Sequence, residues 1–455
     1  MTSMEFLPVA VIGAGPVGLA AAAHLLERGL EPLVFEAGPS VGDAIRRWGH
    51  VRVFSTWKYN LDPASVRLLE RNGWEAPRPT ALPYGSQIVS DYLEPLAATP
   101  ELRDRIRTGS RVVAVTRQGM DKGRSQGRDQ VPFLLRIEHD GGQVTDVLAR
   151  AVIDTSGAWS TPAPLGSSGL AVPGEAKARA AGLVTGPLPD VAAGGFAGRR
   201  TLVIGSGHSA ANMVLDLARV ARANPGTDVL WAIRAATPAR AYGGGDADQL
   251  PARGQLGASL RTAVESGSVQ LLTNFHTASI DVRGDAVTVH AADGRSVEVD
   301  RVIPAVGFRP DLAMLSELRL DLDPAVEAPK ALGPLIDPDF HSCGTVPAHG
   351  ASILAQPEKD FYLAGMKSYG RAPTFLMATG YEQVRSIAAA LAGDTEAANA
   401  VELELPETGV CSTNIPDADE DAAADSCCAA PAPVPVSIGF ATGFQHGRTG
   451  EAVNL

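Results

Sequence analysis

The stretch Val9-Ala10-Val11-Ile12-Gly13-Ala14-Gly15-Pro16-Val17-Gly18 decides how the rest of this chain is read. Four apolar residues, three of them β-branched, run straight into a glycine-rich turn, as a buried parallel strand does when it stops abruptly. Gly13 to Gly18 fits G-x-G-x-x-G. The first glycine permits the tight turn, the second lets a pyrophosphate approach the backbone, and the third lets the next helix pack close to the strand. Pro16 falls just inside the expected helix start, where its missing N–H costs nothing. Leu19 to Arg28 has helical composition and Gly29 is a stop signal. Pro32-Leu33-Val34-Phe35-Glu36 then reads as the second strand, so residues 9–36 make one βαβ unit. Glu36, at the end of that strand, can accept hydrogen bonds from both hydroxyls of a ribose.

A second unit of the same kind begins far downstream. Arg200-Thr201-Leu202-Val203-Ile204 is a strand, Gly205-Ser206-Gly207-His208-Ser209-Ala210 a turn of the G-x-G-x-x-A form, and Ala210 to Ala221 a helix. Asp228 to Ile233 is the strand that follows, and Arg234 stands after it in place of an acid. A cation there can pair with a 2′-phosphate, which favours NADPH over NADH; a solvated strand end is the other reading of Arg234. His208 either lines the pyrophosphate or nicotinamide site or is a polar residue in a helix's first turn. The first unit, with its acid, suits FAD. Two such turns about 190 residues apart imply two dinucleotides brought together, and hydride transfer from a nicotinamide to a flavin is the economical chemistry.

Arg111 to Thr116, Phe133 to His139, and Val152 to Thr155 are further expected strands. Ser279 to His290 and Ser296 to Ile303 alternate like a β-meander. Asp248-Gln249-Leu250 and Arg253-Gly254 are expected in a loop, either at a substrate mouth or as plain structure. Phe361 to Ala364 reads as a strand and Phe375 to Leu391 as a long helix that starts at Pro373-Thr374. From about Leu405 the composition shifts, and residues 416–435 are rich in Ala, Asp and Pro, as in a flexible acidic tail. The expected architecture is α/β, with two Rossmann-like dinucleotide-binding domains: 1–165 and 335–404 form the FAD domain, 166–334 is an inserted NADPH domain, and 405–455 is the tail.

Composition narrows the function. The 455 residues are 45% hydrophobic and 20% charged, enough for a sizeable core. With Asp+Glu 51 against Lys+Arg 39 the net charge is -12, which argues against nucleic acid or an anionic membrane as partner. Four cysteines cannot make a disulfide scaffold. The start Met1-Thr2-Ser3-Met4-Glu5 lacks the basic side chain of a secretory signal, so a cytoplasmic location is expected. There is no C-x-x-C or C-x-x-x-x-C to serve as a flavin's dithiol partner.

With these motifs in place, residues 6–400 resemble the flavin-containing monooxygenases. Gly42 with Trp48 is similar to a G-G-x-W segment, with Asp43 replacing the second glycine. Asp154-Thr155-Ser156-Gly157 resembles the A-T-G strand end that touches the flavin dinucleotide. Phe196-Ala197-Gly198-Arg199-Arg200 resembles the F-x-G-[KR]-[KR] lead into the second fingerprint, and Ala305 to Asp311 the A-T-G-[YF]-x-P segment closing the NADPH domain. Phe361 to Gly370 resembles the second FAD segment, implying FAD contacts at Gly365 and Thr374 as well as at Trp48 and Gly157. The signature F-x-G-x-x-x-H-x-x-x is not intact, since no His occurs between His139 and His208. Within the class, Phe54 to Asn60, Lys367 to Phe375 and Glu407 to Ser412 resemble the flavin monooxygenases of arsenic-resistance operons.

The resemblance implies a small-molecule substrate with a soft nucleophilic atom, dioxygen as co-substrate, and a C4a-hydroperoxyflavin shielded from water. NADPH oxidation without oxygen insertion, and a thiol-ion-binding sensor or carrier, are the alternative readings. Asn60 matches the Asn that the family places against the flavin, or is a turn residue before Leu61-Asp62-Pro63. Lys58 either supplies positive charge to the reacting oxygen or snorkels at the surface. Lys367 and Arg371 are candidates for holding a phosphate or an anionic substrate. In the tail, the vicinal pair Cys427-Cys428, with Cys411 upstream, is either a thiophilic-ion site suited to trivalent arsenic or a chance cluster. Cys343 reads first as a small buried residue.

Overall fold

The computed structural model describes residues 4–243, 248, 250–337, 346–372 and 375–403, together with two short strands, Gln445–His446 and Ala452–Val453, which pair antiparallel. Cys343, Thr374, Cys411, Cys427 and Cys428 lie outside the described residues. The chain divides into one unit spanning Met1–Ile415 and a second spanning Pro416–Leu455; all that follows concerns the first.

Strand β1 (Val9–Ile12) is buried along its whole length, as its unbroken apolar run requires. Gly13 leaves it at φ +98, and its N–H donates to Phe35 O. Helix α1 (Pro16–Glu27) follows, buried from Val17 to Leu25 by virtue of its small Ala20 to Ala23 row. Strand β2 (Pro32–Phe35) pairs parallel with β1, Val9 opposite Pro32. Helix α2 (Pro63–Arg71) is N-capped by Asp62, whose side chain accepts from Ser65 N–H. Strand β3 (Ile106–Arg107) completes that edge of the sheet. The chain then makes an antiparallel sheet of β4 (Ser110–Arg117), β5 (Phe133–His139) and β6 (Val144–Ala149) before β7 (Ala151–Asp154) returns beside β1.

A second parallel sheet interrupts the first. It contains β8 (Arg200–Ile204), followed by helix α3 (His208–Ala223), β9 (Asp228–Ala232), helix α4 (Pro251–Glu265) and β10 (Gln270–Leu272). An antiparallel trio, β11 (Thr277–Arg283), β12 (Ala286–Ala291) and β13 (Ser296–Val299), precedes β14 (Arg301–Pro304), which closes the order β10-β9-β8-β14. Only then does β15 (Phe361–Leu363) pair with β7, giving the first sheet its order β15-β7-β1-β2-β3. Helix α5 (Met377–Leu391) packs against α1. The α/β architecture with two Rossmann-like sheets is thus the one the sequence predicts.

Three local expectations differ from the structure. Arg253 and Gly254 are inside α4 rather than in a loop, and Arg253 forms a buried ion pair with Asp248 at 2.6 Å. The run Ser296 to Ile303 divides at Asp300, because Arg301–Pro304 leaves the antiparallel trio to pair parallel with β8. Helix α5 begins at Met377: Leu376 is extended at φ -104 and ψ 139 and serves as N-cap, so Thr379 and Gly380 fall in the first turn.

Glu358 joins distant parts of the first unit. It accepts from Arg117 Nε at 2.8 Å and from Arg128 Nη2 at 2.8 Å, both buried, and from the backbone N–H of Arg319 at 3.1 Å. Removing the carboxylate leaves two buried guanidiniums without it. Glu358→Ala is expected to cost about 3–5 kcal/mol in urea unfolding, against a far smaller effect for Asp146→Ala in the exposed pair with Arg136.

Candidate active site

The C-terminal ends of β1 and β8 both open onto one cavity of about 1600 Å³. In open α/β sheets that is where the crevice for ligands forms. Both glycine-rich turns line it: Gly13, Gly15 and Pro16 from the first, Gly205, Gly207, His208 and Ser209 from the second. Ala210, the last residue of the second turn, is buried behind them in the core of α3. Gly18 and Gly205 are glycines for packing reasons. A Cβ on Gly18 would overlap Gly13 O and come within 2.7 Å of Thr155 Oγ1, and one on Gly205 would overlap Ala305 O. Gly15 and Gly207 are different. A Cβ at either meets no protein atom within 4 Å, so each leaves open space at a helix N-terminus whose first N–H groups have no intrahelical partner. Two gaps of this kind on one cavity fit the pyrophosphates of two dinucleotides.

Around the first gap, Glu36 accepts from Ala14 N–H and Gly38 N–H, both at 2.8 Å. Burial pushes its carboxyl above the usual range, against the pull of those two bonds. Each carboxylate oxygen keeps a lone pair for a ligand hydroxyl. Trp48, Gly157 and Gly365 line the same cavity. Gly365 sits at φ +68, and its N–H donates to Gln383 Oε1 at 2.7 Å. Lys367 is buried and lines the wall, with Nζ 2.7 Å from Asp154 Oδ2 and 3.1 Å from Ser156 Oγ. It therefore clamps the ends of β7 and β15 together. Arg371, also on the wall, pairs with Glu327 at 2.8 Å.

At the second gap, Arg234 is exposed on the cavity wall. The His208 ring lies 5.0 Å from that of Phe54, a residue of the segment between β2 and α2. Desolvation, helped by the nearby Arg253 charge, pushes His208 down to about 4. The charged lining of the cavity comprises eight Arg or Lys side chains against three acids, in a chain of net charge -12. Such a cationic well concentrates anionic ligands.

The two expected catalytic side chains do not reach this cavity wall. Lys58 is exposed, with Nζ 5.5 Å from the Tyr59 ring centroid, and Asn60 is buried with its amide bonded to Ser55. Neither is among the lining residues, whereas Ser55 is. Sequence reading passed over Ser55 and the Lys367–Asp154 clamp. The first lies beside an Asn that draws more attention, and the second joins residues 213 positions apart.

Two pyrophosphate cradles on one cavity define an oxidoreductase that works on a pair of dinucleotides. The chain belongs to the pyridine nucleotide-disulphide oxidoreductase family, whose family model matches residues 7–327. No curated protein sequence matches it. Among solved structures it is similar to bacillithiol disulfide reductase from Bacillus cereus, at 19% identity over 85% of this chain and 99% of that one, with a TM-score of 0.63. It is also similar to a flavin-containing monooxygenase from Stenotrophomonas maltophilia, at 21% over 85% and 98%, TM-score 0.53. An ornithine N-hydroxylase from Kutzneria sp. 744, with reduced FAD, NADP+ and L-ornithine, matches at 16% over 86% and 99%, TM-score 0.56. These likenesses are of fold. Membership of this family implies FAD and NADPH as cofactors. No helix among the described residues is long and apolar enough to cross a membrane.

The depressed His208 value has a measurable consequence. Folding favours the neutral ring, so the unfolded chain binds the extra proton between about pH 6.5 and 4, and stability falls as pH drops through that window. An NMR titration, with the signal assigned through His208→Gln, is expected to place the ring's midpoint near 4; a midpoint at 6.5 would show the ring to be solvated.

Proposed function

We propose that the enzyme is an NADPH-consuming FAD monooxygenase acting on a small molecule with a soft nucleophilic atom. The observation that carries this reading is the single cavity walled by both cradles, combined with a sequence that has no cysteine before Cys343. The stretch matched to the family therefore has no thiol of its own to relay electrons onward. Bound FAD supplies hydride acceptance from NADPH and two-electron reaction with dioxygen. In this reading Gly13, Gly15, Pro16 and the N-terminus of α1 hold the FAD pyrophosphate. Gly18 keeps the helix close, Glu36 holds a ribose, and Trp48, Gly157 and Gly365 cover the remainder. Gly207, His208, Ser209 and the N-terminus of α3 hold the NADPH pyrophosphate, Gly205 and Ala210 allow the close packing behind it, and Arg234 pairs with the 2′-phosphate.

NADPH gives up a hydride and solvent gives up a proton, one atom of dioxygen goes to the substrate, and the other leaves as water. Neutral His208 offers no proton to this site near pH 7 and leaves the cationic work to the arginines. With a thioether or amine substrate, NADPH loss and oxidised product are expected at close to one to one. NADPH loss that yields only hydrogen peroxide would instead make the enzyme an oxidase.

The vicinal thiols Cys427-Cys428, with Cys411, support a link to arsenic: paired soft donors suit a trivalent thiophilic ion. Isothermal titration of arsenite is expected to give saturable heat with the wild type and none with the Cys427→Ser/Cys428→Ser variant. Equal heats would remove the ion site from this reading.

A further inference from the structure

Ser55 and Asn60 fix each other's polarity. Asn60 Nδ2 lies 2.8 Å from Ser55 O. A carbonyl can only accept, so the NH₂ end of the amide must face it. Asn60 Oδ1 is then the atom 2.8 Å from Ser55 Oγ, and it too can only accept. The hydroxyl proton of Ser55 is therefore committed to Asn60. Tyr381 OH donates to Asn60 O at 2.8 Å and holds this turn from the side of α5. Both Ser55 and Asn60 are buried, at 6% and 1% exposure, so water does not compete for these bonds.

What remains on Ser55 Oγ is lone-pair density, on a residue that lines the cavity. Its neighbour Phe54 meets His208, the first residue of α3, across that cavity. The segment thus stands where the wall bearing the first cradle comes up against the second, and there a nicotinamide has to meet its hydride acceptor. An NADPH carboxamide carries two N–H donors and can satisfy a site that offers only an acceptor. We infer that Ser55 Oγ accepts a carboxamide N–H of the nicotinamide, with Asn60 as the positioning residue that keeps the hydroxyl in its accepting orientation. Asn60 thereby acts through Ser55, without touching the cofactor. The assignment rests on NADPH as the hydride donor.

The test is binding rather than turnover. FAD-loaded enzyme is titrated with NADP+ and with its 3-acetylpyridine analogue, whose methyl ketone has no N–H to give. Loss of one hydrogen bond to a buried acceptor corresponds to roughly a tenfold preference for NADP+ in the wild type. Ser55→Ala is expected to bind both nucleotides within about twofold of each other, and Ser55→Thr to restore the preference. Asn60→Ala releases the hydroxyl proton, so Ser55 can donate to the acetyl oxygen, and the preference is expected to shrink to below about threefold. FAD content and melting temperature confirm that each variant is folded. A full preference retained in Ser55→Ala overturns this assignment alone. So does an unchanged preference with faster FAD release, which would give the acceptor to the flavin. A wild type that binds no NADP+ at all overturns the nucleotide reading beneath it as well.

Discussion

Everything in this enzyme's site depends on backbone coming closer to backbone than side chains allow. Helix α1 can aim its free N–H groups into the cavity only because Gly18 has no Cβ to strike Gly13 O, and the second sheet repeats the constraint where Gly205 passes Ala305 O. The packing glycines and the open glycines divide the work. Gly18 and Gly205 bring helix and strand together, and Gly15 and Gly207 keep clear the space that results. In the function proposed here, a phosphate would be held by peptide N–H groups, which hardly move on binding and so cost little reorganisation.

Charge is arranged to the same end. The chain as a whole is acidic, yet the charged side chains lining its cavity are mainly arginines. Several of the lining cations are held in ion pairs: Arg47 with Asp43, Arg371 with Glu327, and Lys367 with Asp154. These pairs limit the repulsion among like charges while leaving the potential positive for an incoming nucleotide. Lys367–Asp154 also locks the ends of two strands that are far apart in sequence, so the cavity wall is braced by an interaction inside the site itself.

The local parts of the fold were legible. Strand, glycine turn and helix follow one another from Val9 to Glu27 in the first unit and from Arg200 to Ala223 in the second, and every link is a short-range signal. Helix α4 was not legible, because Pro251, Gly254 and Gly257 look like loop residues. Gly257 is there because a Cβ would strike Tyr242 O, a contact no periodicity announces. The departure of β14 from the antiparallel trio was hidden too, since alternation cannot say which neighbour a strand pairs with. The Glu358 cluster joins residues 230 and 241 positions apart and leaves no local trace. For the site, the glycines, Glu36 and Arg234 could be picked out by type and spacing. Whether Asn60, in the helical turn Trp57–Asn60, or Ser55, just before its N-cap Thr56, faces the cavity is decided only by three-dimensional packing.

The insertion of a whole second sheet between β7 and β15 also sets the order in which the molecule can be born. Strand β7 ends at Asp154 and its outer neighbour starts at Phe361. A ribosome adding about 5–20 residues per second needs roughly ten to forty seconds to deliver that neighbour. Throughout that interval the nascent chain carries a bare strand edge, apolar at Ala151, Val152 and Ile153, the kind that other chains pair with. The second sheet, complete by Pro304, can form first and emerge finished while its host still waits.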